Sequence, residues 1–572
     1  MRTPEKMMGE PRLPETSPDG RARAQALDRS LRPDVSPTSL VSFLSHGRVL
    51  IVGEESAALA AARRLDDRLV PTVFTSVASH PVATATVEGV ACLRGDARLS
   101  GSLGSYQLTP AGSDGKQNED EDEEGEDSAA AAMGRARFDL VLDLGQTPLL
   151  GQEVLPPGYF APRGDDDELE RAIAELPEMR GEFEKPKFFN YDPEICAHGN
   201  RGVRGCTRCL EVCPAWAITS IGERVAVDPN LCQGFGTCAS VCPTGAITYA
   251  FPTTGDLLGY LRTVLTSYRD GGGTDPQLMF FDSASADYLE DDAYVSALPE
   301  NILPVNLEEV GTAGMDSWLT CLAYGAGRIL IMTGEETPST ILDVLQREIG
   351  VTAALLEGMG FPGNAVQIVA SNDLEGVRAA ASADGTIRLK RPARFTPPPE
   401  KRLLLRVAIN HLLEYAPRRR KSVALPAGAP FGQVKVDGQA CTLCMSCVAV
   451  CPTSALRTGQ GLPQLAFVER SCIQCGMCEK ACPEDAVSLA ARFLYDEDER
   501  SSRRLLHEEQ PVCCISCGKP FATRSMLEAM TRKLEGHWMF QTEAERRRLE
   551  MCDVCRVKDL MRARQAEGGG AS

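Results

Sequence analysis

The chain has 572 residues, 43% of them apolar and only 6% aromatic, and a formal net charge of −19. That length suggests about four domains with largely aliphatic cores, and an acidic chain lacks the basic face that binding nucleic acid requires. No stretch reaches the roughly 18 apolar residues of a membrane helix, so membrane insertion is not expected.

Residues 1–46 are rich in Pro, Ser and charge and read as a disordered terminus. They lack the apolar segment of a secretory signal, and the abundance of metal-spaced thiols fits a reducing, cytoplasmic setting. Residues 47–160 read as an α/β unit. Arg48-Val-Leu-Ile-Val-Gly53 is a buried strand, 56–65 an Ala-rich helix, and Val73-Phe74, 83–93 and 138–144 further strands. An acidic loop at 113–135 interrupts this unit. It holds eight carboxylates within 119–127, whose mutual repulsion favours solvent. Gly53-Glu54-Glu55-Ser56-Ala57-Ala58 stands where a dinucleotide fingerprint would. Glu55 fills its central glycine slot, and a carboxylate there repels a pyrophosphate. Residues 161–186 read as a linker.

The first cysteine run lies in 187–251: Cys196, Cys206, Cys209, Cys213-Pro214, then Cys232, Cys238 and Cys242-Pro243. Residues 255–400 alternate strands (278–281, 328–332, 365–370) with amphipathic helix (340–349), a βαβα rhythm that implies a parallel sheet. Residues 401–430 read as a packing helix (Leu404, Val407, Ala408, Leu412) and linker. Its basic stretch Arg418, Arg419, Arg420, Lys421 reads as a solvated helix end. The second run, in 431–490, is regular: Cys441, Cys444, Cys447, Cys451-Pro452, then Cys472, Cys475, Cys478, Cys482-Pro483. Residues 491–562 form a module with Cys514, Cys517, Cys552 and Cys555, and 563–572 are a tail. Cys92 and Cys321 read as small core residues, and Cys513 as a bystander to the last group. The fold expected is multidomain α/β and α+β: two ferredoxin-like dicluster domains, α/β units before and between them, and a C-terminal four-cysteine metal module.

Each Cys-Pro in the runs is followed by two residues, then Ala and an aliphatic: Ala217-Ile218, Ala246-Ile247, Ala455-Leu456 and Ala486-Val487. This spacing carries its own chemistry. A cubane cluster needs soft thiolates at tetrahedral corners, and two-residue spacers wrap three of them round one cluster. The fourth cysteine, before the proline, ligates the partner cluster. One [4Fe–4S] cluster is thus assigned to Cys441, Cys444, Cys447 and Cys482, and another to Cys472, Cys475, Cys478 and Cys451. In the first run Val203 fills the leading slot. Cys196 lies seven residues further back, and an inserted loop with His198, Gly199, Gly202 and Gly205 must fold over a third [4Fe–4S] cluster held by Cys196, Cys206, Cys209 and Cys242. His198 is either a substitute ligand or a histidine beside the cluster. The fourth site has Cys213, Cys232 and Cys238, with Phe235 where a cysteine belongs. It suits a [3Fe–4S] cluster, an incomplete [4Fe–4S] cluster with a small ligand at the open iron, or no cluster at all. The two C-x2-C pairs near the C-terminus read as a zinc site of four thiolates, with a fifth iron–sulfur cluster as the alternative. Nearby Arg532, Lys533 and Arg546, Arg547, Arg548 are read as a solvated helix face.

Both cysteine runs resemble bacterial dicluster ferredoxin domains. The segment 276–380 is similar, more distantly, to the delta subunit of methyl-viologen-reducing hydrogenase, a partner of heterodisulfide reductase. Phe280-Phe281-Asp282-Ser283 stands where that family places cysteines. The whole arrangement resembles the multi-ferredoxin proteins that accompany molybdenum formate dehydrogenases in bacteria. These resemblances imply an electron-transfer subunit with a partner redox protein, a formate dehydrogenase among the candidates. Two other readings stay open: an oxidoreductase with flavin or nicotinamide in the N-terminal α/β unit, and a non-catalytic maturation or docking factor with structural clusters.

Overall fold

The computed structural model describes residues 13–30, 37, 39–78, 83–111 and 137–568. The expected acidic loop 113–135 lies outside the described residues. The N-terminal unit is built on a six-stranded sheet. Its order is Tyr159–Phe160, Leu140–Asp143, Arg48–Val52, Val70–Ser76, Val90–Gly95, Ala83–Val87. The first five strands are parallel and the last is antiparallel. Alternate residues feed two cores: Val49 and Ile51 face one, Leu50 and Val52 the other. A parallel sheet covered on both faces gives that unbroken apolar strand. The expected strand 83–93 is a hairpin, turned at Glu88 and Gly89, both with positive φ.

Two segments differ from expectation. Residues 1–46 are not wholly unstructured: Pro18–Arg29 is a helix packed on the helix Thr254–Asp270. Ser17 caps it through its hydroxyl, which accepts from the Gly20 N–H. Its buried face is Gly20, Ala22, Arg23 and Ala26, too small and too polar to register as hydrophobic periodicity. Leu40–Ser45 is a strand, paired antiparallel with Gly181–Pro186. The expected linker 161–186 is therefore integral to the N-terminal unit. Its helix Asp166–Glu175 leads into a 3-10 turn whose Leu176 is fully buried.

The central unit has four parallel strands in the order Ile302–Asn306, Gln277–Phe281, Arg328–Thr333, Val366–Ala370. Phe280, Phe281 and Cys321 are core residues there, and Asp282 accepts from the Val310 and Ala284 N–H groups. The helix Lys401–Glu414 packs on Met315–Ala323 through Leu404, Leu405, Ala408 and Leu412.

The boundaries of the second cysteine segment shift. Val487–Leu494 runs beyond residue 490, between Ser422–Ala424 and Gly432–Val436. Arg504–Glu508 pairs with Gln464–Phe467, so residues 491–508 complete this segment rather than open the C-terminal module. The module begins with the hairpin Pro511–Cys513 and Pro520–Thr523. The last helix, Asp553–Gly568, runs through most of the expected tail. Among the described residues no helix is long and apolar enough to cross a membrane.

Candidate metal centres

The Cys-Pro-x-x-Ala repeat has one backbone shape. The second residue after each proline is left-handed: Trp216 (φ 50), Gly245 (φ 79), Ser454 (φ 52) and Asp485 (φ 49). Such a conformation strains a residue that has a side chain. Its return is a hydrogen bond to sulfur. The N–H of the following alanine donates to the cysteine: Ala217 to Cys213 (3.4 Å), Ala455 to Cys451 (3.2 Å), Ala486 to Cys482 (3.3 Å). In the fourth copy the Thr244 hydroxyl intervenes, accepting from the Ala246 N–H at 3.2 Å and lying 3.7 Å from Cys242 Sγ.

In the second segment, Cys441, Cys444, Cys447 and Cys482 line a small cavity with Leu443, Met445, Leu465 and Val487. Leu443 (φ 54) and Met445 (φ 62) flank Cys444 in left-handed conformations, and Gln474 (φ 55) and Gly476 (φ 82) flank Cys475. Burial pushes the Cys447 thiol up to about 12, aided by the negative charges of Cys441, Cys444 and Cys482. Burial also raises Cys478, with Cys472, Cys475, Cys451 and then Cys447 contributing. Thiols crowded this way ionise only against a compensating cation, which is what iron supplies.

The first segment shows how the inserted loop works. Gly199–Asn200 and Val203–Arg204 form a small hairpin turned at Arg201 (φ 52) and Gly202 (φ 77). His198 is 1% exposed. Its Nδ1 lies 2.9 Å from the Cys206 carbonyl and its Nε2 2.7 Å from the Ser220 hydroxyl. Both ring nitrogens are engaged, so His198 braces the loop and offers no atom to iron. Cys196, Cys206, Cys209 and Cys242 converge. Burial pushes Cys209 up to about 12, with Cys206, Cys242 and Cys196 adding their charge.

At the three-cysteine site the backbone keeps the cluster-binding shape. Gly234 (φ 85) and Gly236 (φ 73) flank Phe235 as left-handed residues flank Cys444 and Cys475. Only the side chain differs, and Phe235 packs against the core of the central unit. The residues next to it pack on the central unit as well. Ser240 donates to the Gly311 carbonyl, and a Cβ on Gly236 would lie 2.5 Å from Thr312 Cγ2. This corner is a domain contact. Cys213, Cys232 and Cys238 still pack against one small core, with Phe189, Ala239, Ile247 and Tyr249, and burial raises Cys238, with Cys232, Cys213 and Cys209 adding their charge.

The two segments, distant in sequence, are packed together. Asn200 Nδ2 donates to the Val450 carbonyl (3.3 Å) and Lys480 Nζ to the Arg204 carbonyl (3.1 Å). Gly205 lets Met477 approach: a Cβ there would lie 2.6 Å from Met477 Cγ and Cε. The inserted hairpin is thus the joint. The four thiol groups form a file. The helix Thr237–Val241 packs on Arg208–Glu211, the hairpin strand Val203–Arg204 on the helix Met477–Lys480, and that helix on Ser446–Ala449.

Matched cations clamp the file from outside. Lys185 Nζ donates to the carbonyls of Asn230 (2.7 Å) and Cys232 (2.8 Å), 5.0 Å over the Phe43 ring. Arg402 donates to the carbonyls of Arg470 (2.9 Å) and Cys472 (3.1 Å), 5.0 Å over the Phe431 ring. Cys232 and Cys472 hold the same place in their runs. Burial lowers the Lys185 pKa to about 8 and that of Arg402 to about 10. Lys401, beside Arg402, reaches the other segment and donates to the Ala239 carbonyl (2.7 Å). No motif announces Lys185 or Arg402, because each comes from a separate element.

Cys514, Cys517, Cys552 and Cys555 differ in scale. Their four sulfurs lie within 4.8 Å of one another, a group that none of the other cysteines forms among the described residues. That spacing fits one tetrahedral ion bound by four thiolates at about 2.3 Å and is tight for a cubane. Cys513 stays outside the group and is exposed. The module touches the second segment where Thr523 Oγ1 donates to the Thr442 carbonyl (2.9 Å) and where Lys533 pairs with Glu484.

The remaining candidates are structural. Cys92 is buried. Arg418 and Arg420 N–H groups donate to the Met359 and Gly358 carbonyls, Arg419 Nε to that of Leu413, and Lys421 pairs with Glu499. At the expected fingerprint, Glu54 caps the helix Glu55–Ala62 with its own carboxylate, which accepts from the Ala57 N–H at 3.2 Å. Glu55 pairs with Arg94.

Residues 440–487 match the model of the 4Fe-4S dicluster domain. Residues 204–251 match a different one, the LdpA Fe-S cluster-binding domain, which begins after Cys196 and the hairpin strand Gly199–Asn200. The chain therefore carries two iron–sulfur cluster-binding segments in a mixed α/β multidomain fold. No curated protein matches the chain.

Proposed function

We propose that this chain is an electron-transfer component that passes electrons along a file of iron–sulfur clusters to or from a partner redox protein. A cluster supplies reversible one-electron uptake at a potential set by its surroundings. Cys441, Cys444, Cys447 and Cys482 hold one [4Fe–4S] cluster, Cys451, Cys472, Cys475 and Cys478 a second, and Cys196, Cys206, Cys209 and Cys242 a third. Cys213, Cys232 and Cys238 hold a [3Fe–4S] cluster, favoured over an empty site by the retained backbone around Phe235. Cys514, Cys517, Cys552 and Cys555 hold zinc. The carrying observation is the packing of the hairpin before Cys206 on the helix Met477–Lys480 of the second segment, through Gly205 against Met477 and the Asn200 to Val450 and Lys480 to Arg204 hydrogen bonds. Purely structural clusters give no reason to align two separate segments in this way.

The cavity at Cys441 to Cys482 and the crowded, buried thiols fit the clusters assigned to them. The rival reading, a flavin or nicotinamide enzyme, meets the Glu54 carboxylate on the helix terminus where a pyrophosphate would bind. A molybdenum formate dehydrogenase is the first partner to test, by anaerobic co-purification. The cluster assignment is tested by anaerobic reconstitution, iron counting and electron paramagnetic resonance. An oxidised three-iron signal is expected, and Phe235→Cys should abolish it. A protein with iron for three cubanes and no such signal refutes the assignment at Phe235.

A further inference from the structure

Beside the three-cysteine site lies a buried polar atom that the fold leaves unsatisfied. Tyr249 is 5% exposed, and its hydroxyl has no hydrogen-bonding partner. Buried hydroxyls are rarely left so, because desolvation without a partner is costly. The strand Ile247–Tyr249 pairs with Phe189–Tyr191, setting Tyr249 opposite Phe189. The Tyr249 ring stacks on Phe188 with centroids 6.3 Å apart and an interplanar angle of 18°. Phe188 in turn abuts the loop of the missing cysteine: a Cβ on Gly234 would lie 2.8 Å from Phe188 Cδ1. Tyr249 belongs to the small core against which Cys213, Cys232 and Cys238 pack; burial raises its phenol, with Glu308, Glu309, Cys232 and Cys238 adding their charge.

The repeat supplies a comparison inside the same chain. Ala246-Ile247-Thr248-Tyr249 aligns with Ala486-Val487-Ser488-Leu489 of the second segment. Both strands are antiparallel to the strand that opens their segment, Tyr249 opposite Phe189 and Leu489 opposite Val434. Leu489 has no donor. The outer cations are matched, Lys185 at Cys232 and Arg402 at Cys472. Near these two sites, the cysteine replaced by Phe235 and the added Tyr249 hydroxyl therefore mark the same one.

We propose that the Tyr249 hydroxyl donates a hydrogen bond to the cluster held by Cys213, Cys232 and Cys238 and raises its reduction potential. This rests on the proposed cluster assignment and adds a tuning residue to it. A donor aimed at a cluster stabilises the added electron, and burial keeps water from competing for the proton. The phenol neither ligates iron nor changes charge in this role.

The test uses the full chain, anaerobically loaded, with Tyr249→Phe, which keeps the ring and its stacking. Redox titration followed by electron paramagnetic resonance should show the reduction equilibrium of this one cluster moving about tenfold toward the oxidised form, a fall of about 59 mV for one electron. The other midpoints should hold. Wild-type protein exchanged into deuterium oxide should lose a proton coupling in this cluster's signal that is already absent from Tyr249→Phe. An unchanged midpoint together with an unchanged coupling pattern overturns the hydroxyl's role while leaving the cluster in place. A wild type with no signal from this site and iron for only three clusters overturns the assignment beneath it, and the inference with it.

Discussion

Gly205→Ala probes the joint on which the proposed electron path depends. The added Cβ would lie 2.6 Å from Met477 Cγ and Cε and 2.8 Å from the Ala197 carbonyl oxygen. Met477 is fully buried and has little room to retreat. The Ala197 carbonyl accepts from the Cys206 N–H at 2.9 Å, and the next residue is His198, fixed through both ring nitrogens. The hairpin must then tilt off the second segment, straining the Asn200 to Val450 and Lys480 to Arg204 contacts. Overpacking of this kind costs about 1–3 kcal/mol, which raises the population of an undocked arrangement about 5- to 150-fold. Gly202→Ala is the control. Its φ of 77 brings strain of about 1–2 kcal/mol, but its Cβ would meet nothing within 4 Å, so the joint is untouched. The assay is magnetic interaction between reduced clusters, together with electron redistribution after pulsed reduction, in protein with full iron content. Gly205→Ala should weaken both and Gly202→Ala neither. A fully loaded Gly205→Ala protein with unchanged coupling and redistribution would refute the single file.

Arg402→Gln removes the buried cation from the carbonyls of Pro430, Arg470 and Cys472. At about 1.5–3 kcal/mol per charge-assisted bond, thermal melts should show a loss of at least about 3 kcal/mol, and redox titration a lower potential for the cluster assigned to Cys451, Cys472, Cys475 and Cys478. Mild chelation should release one zinc per chain and unfold the 511–568 module while iron stays bound, because a four-thiolate ion contributes folding energy directly. Metal analysis with circular dichroism checks this, and retention of the module's helices without zinc would count against a structural ion.

The cysteine runs were legible because iron demands a single ligand type at fixed spacing, and the family matches at 440–487 and 204–251 fall on them. The shape of the repeated turn was not. Of its four left-handed positions only Gly245 is glycine; Trp216, Ser454 and Asp485 adopt the same conformation against their preference. The loop glycines carried a partial signal. Gly202 supplies the turn, whereas Gly205 is required for close approach to Met477, a residue no local pattern connects to it. The helix Pro18–Arg29 escaped because small residues bury without apolar periodicity. Lys185 and Arg402 escaped because their acceptors are backbone carbonyls, which leave no mark in a sequence.

The two ends of the file meet different surroundings. Of the cysteines in the two runs, all of them described, Cys444 alone is exposed. At the opposite end, Lys185 covers Cys232, Gln233 Nε2 donates to the Leu155 carbonyl at 3.0 Å, and Phe235 is packed on the central unit. Exchange with a redox partner, as proposed, requires a cluster near the surface, and the Cys444 end alone presents an exposed ligand. The C-terminal module is anchored to that end through Thr523 to Thr442 and Lys533 to Glu484. A structural zinc there would hold that end rigid without joining the path, since zinc has no redox chemistry of its own. The Phe235 end, enclosed by two domains, is then the place to hold an electron rather than hand it over, and a donor at Tyr249 serves that role by making the held electron more stable.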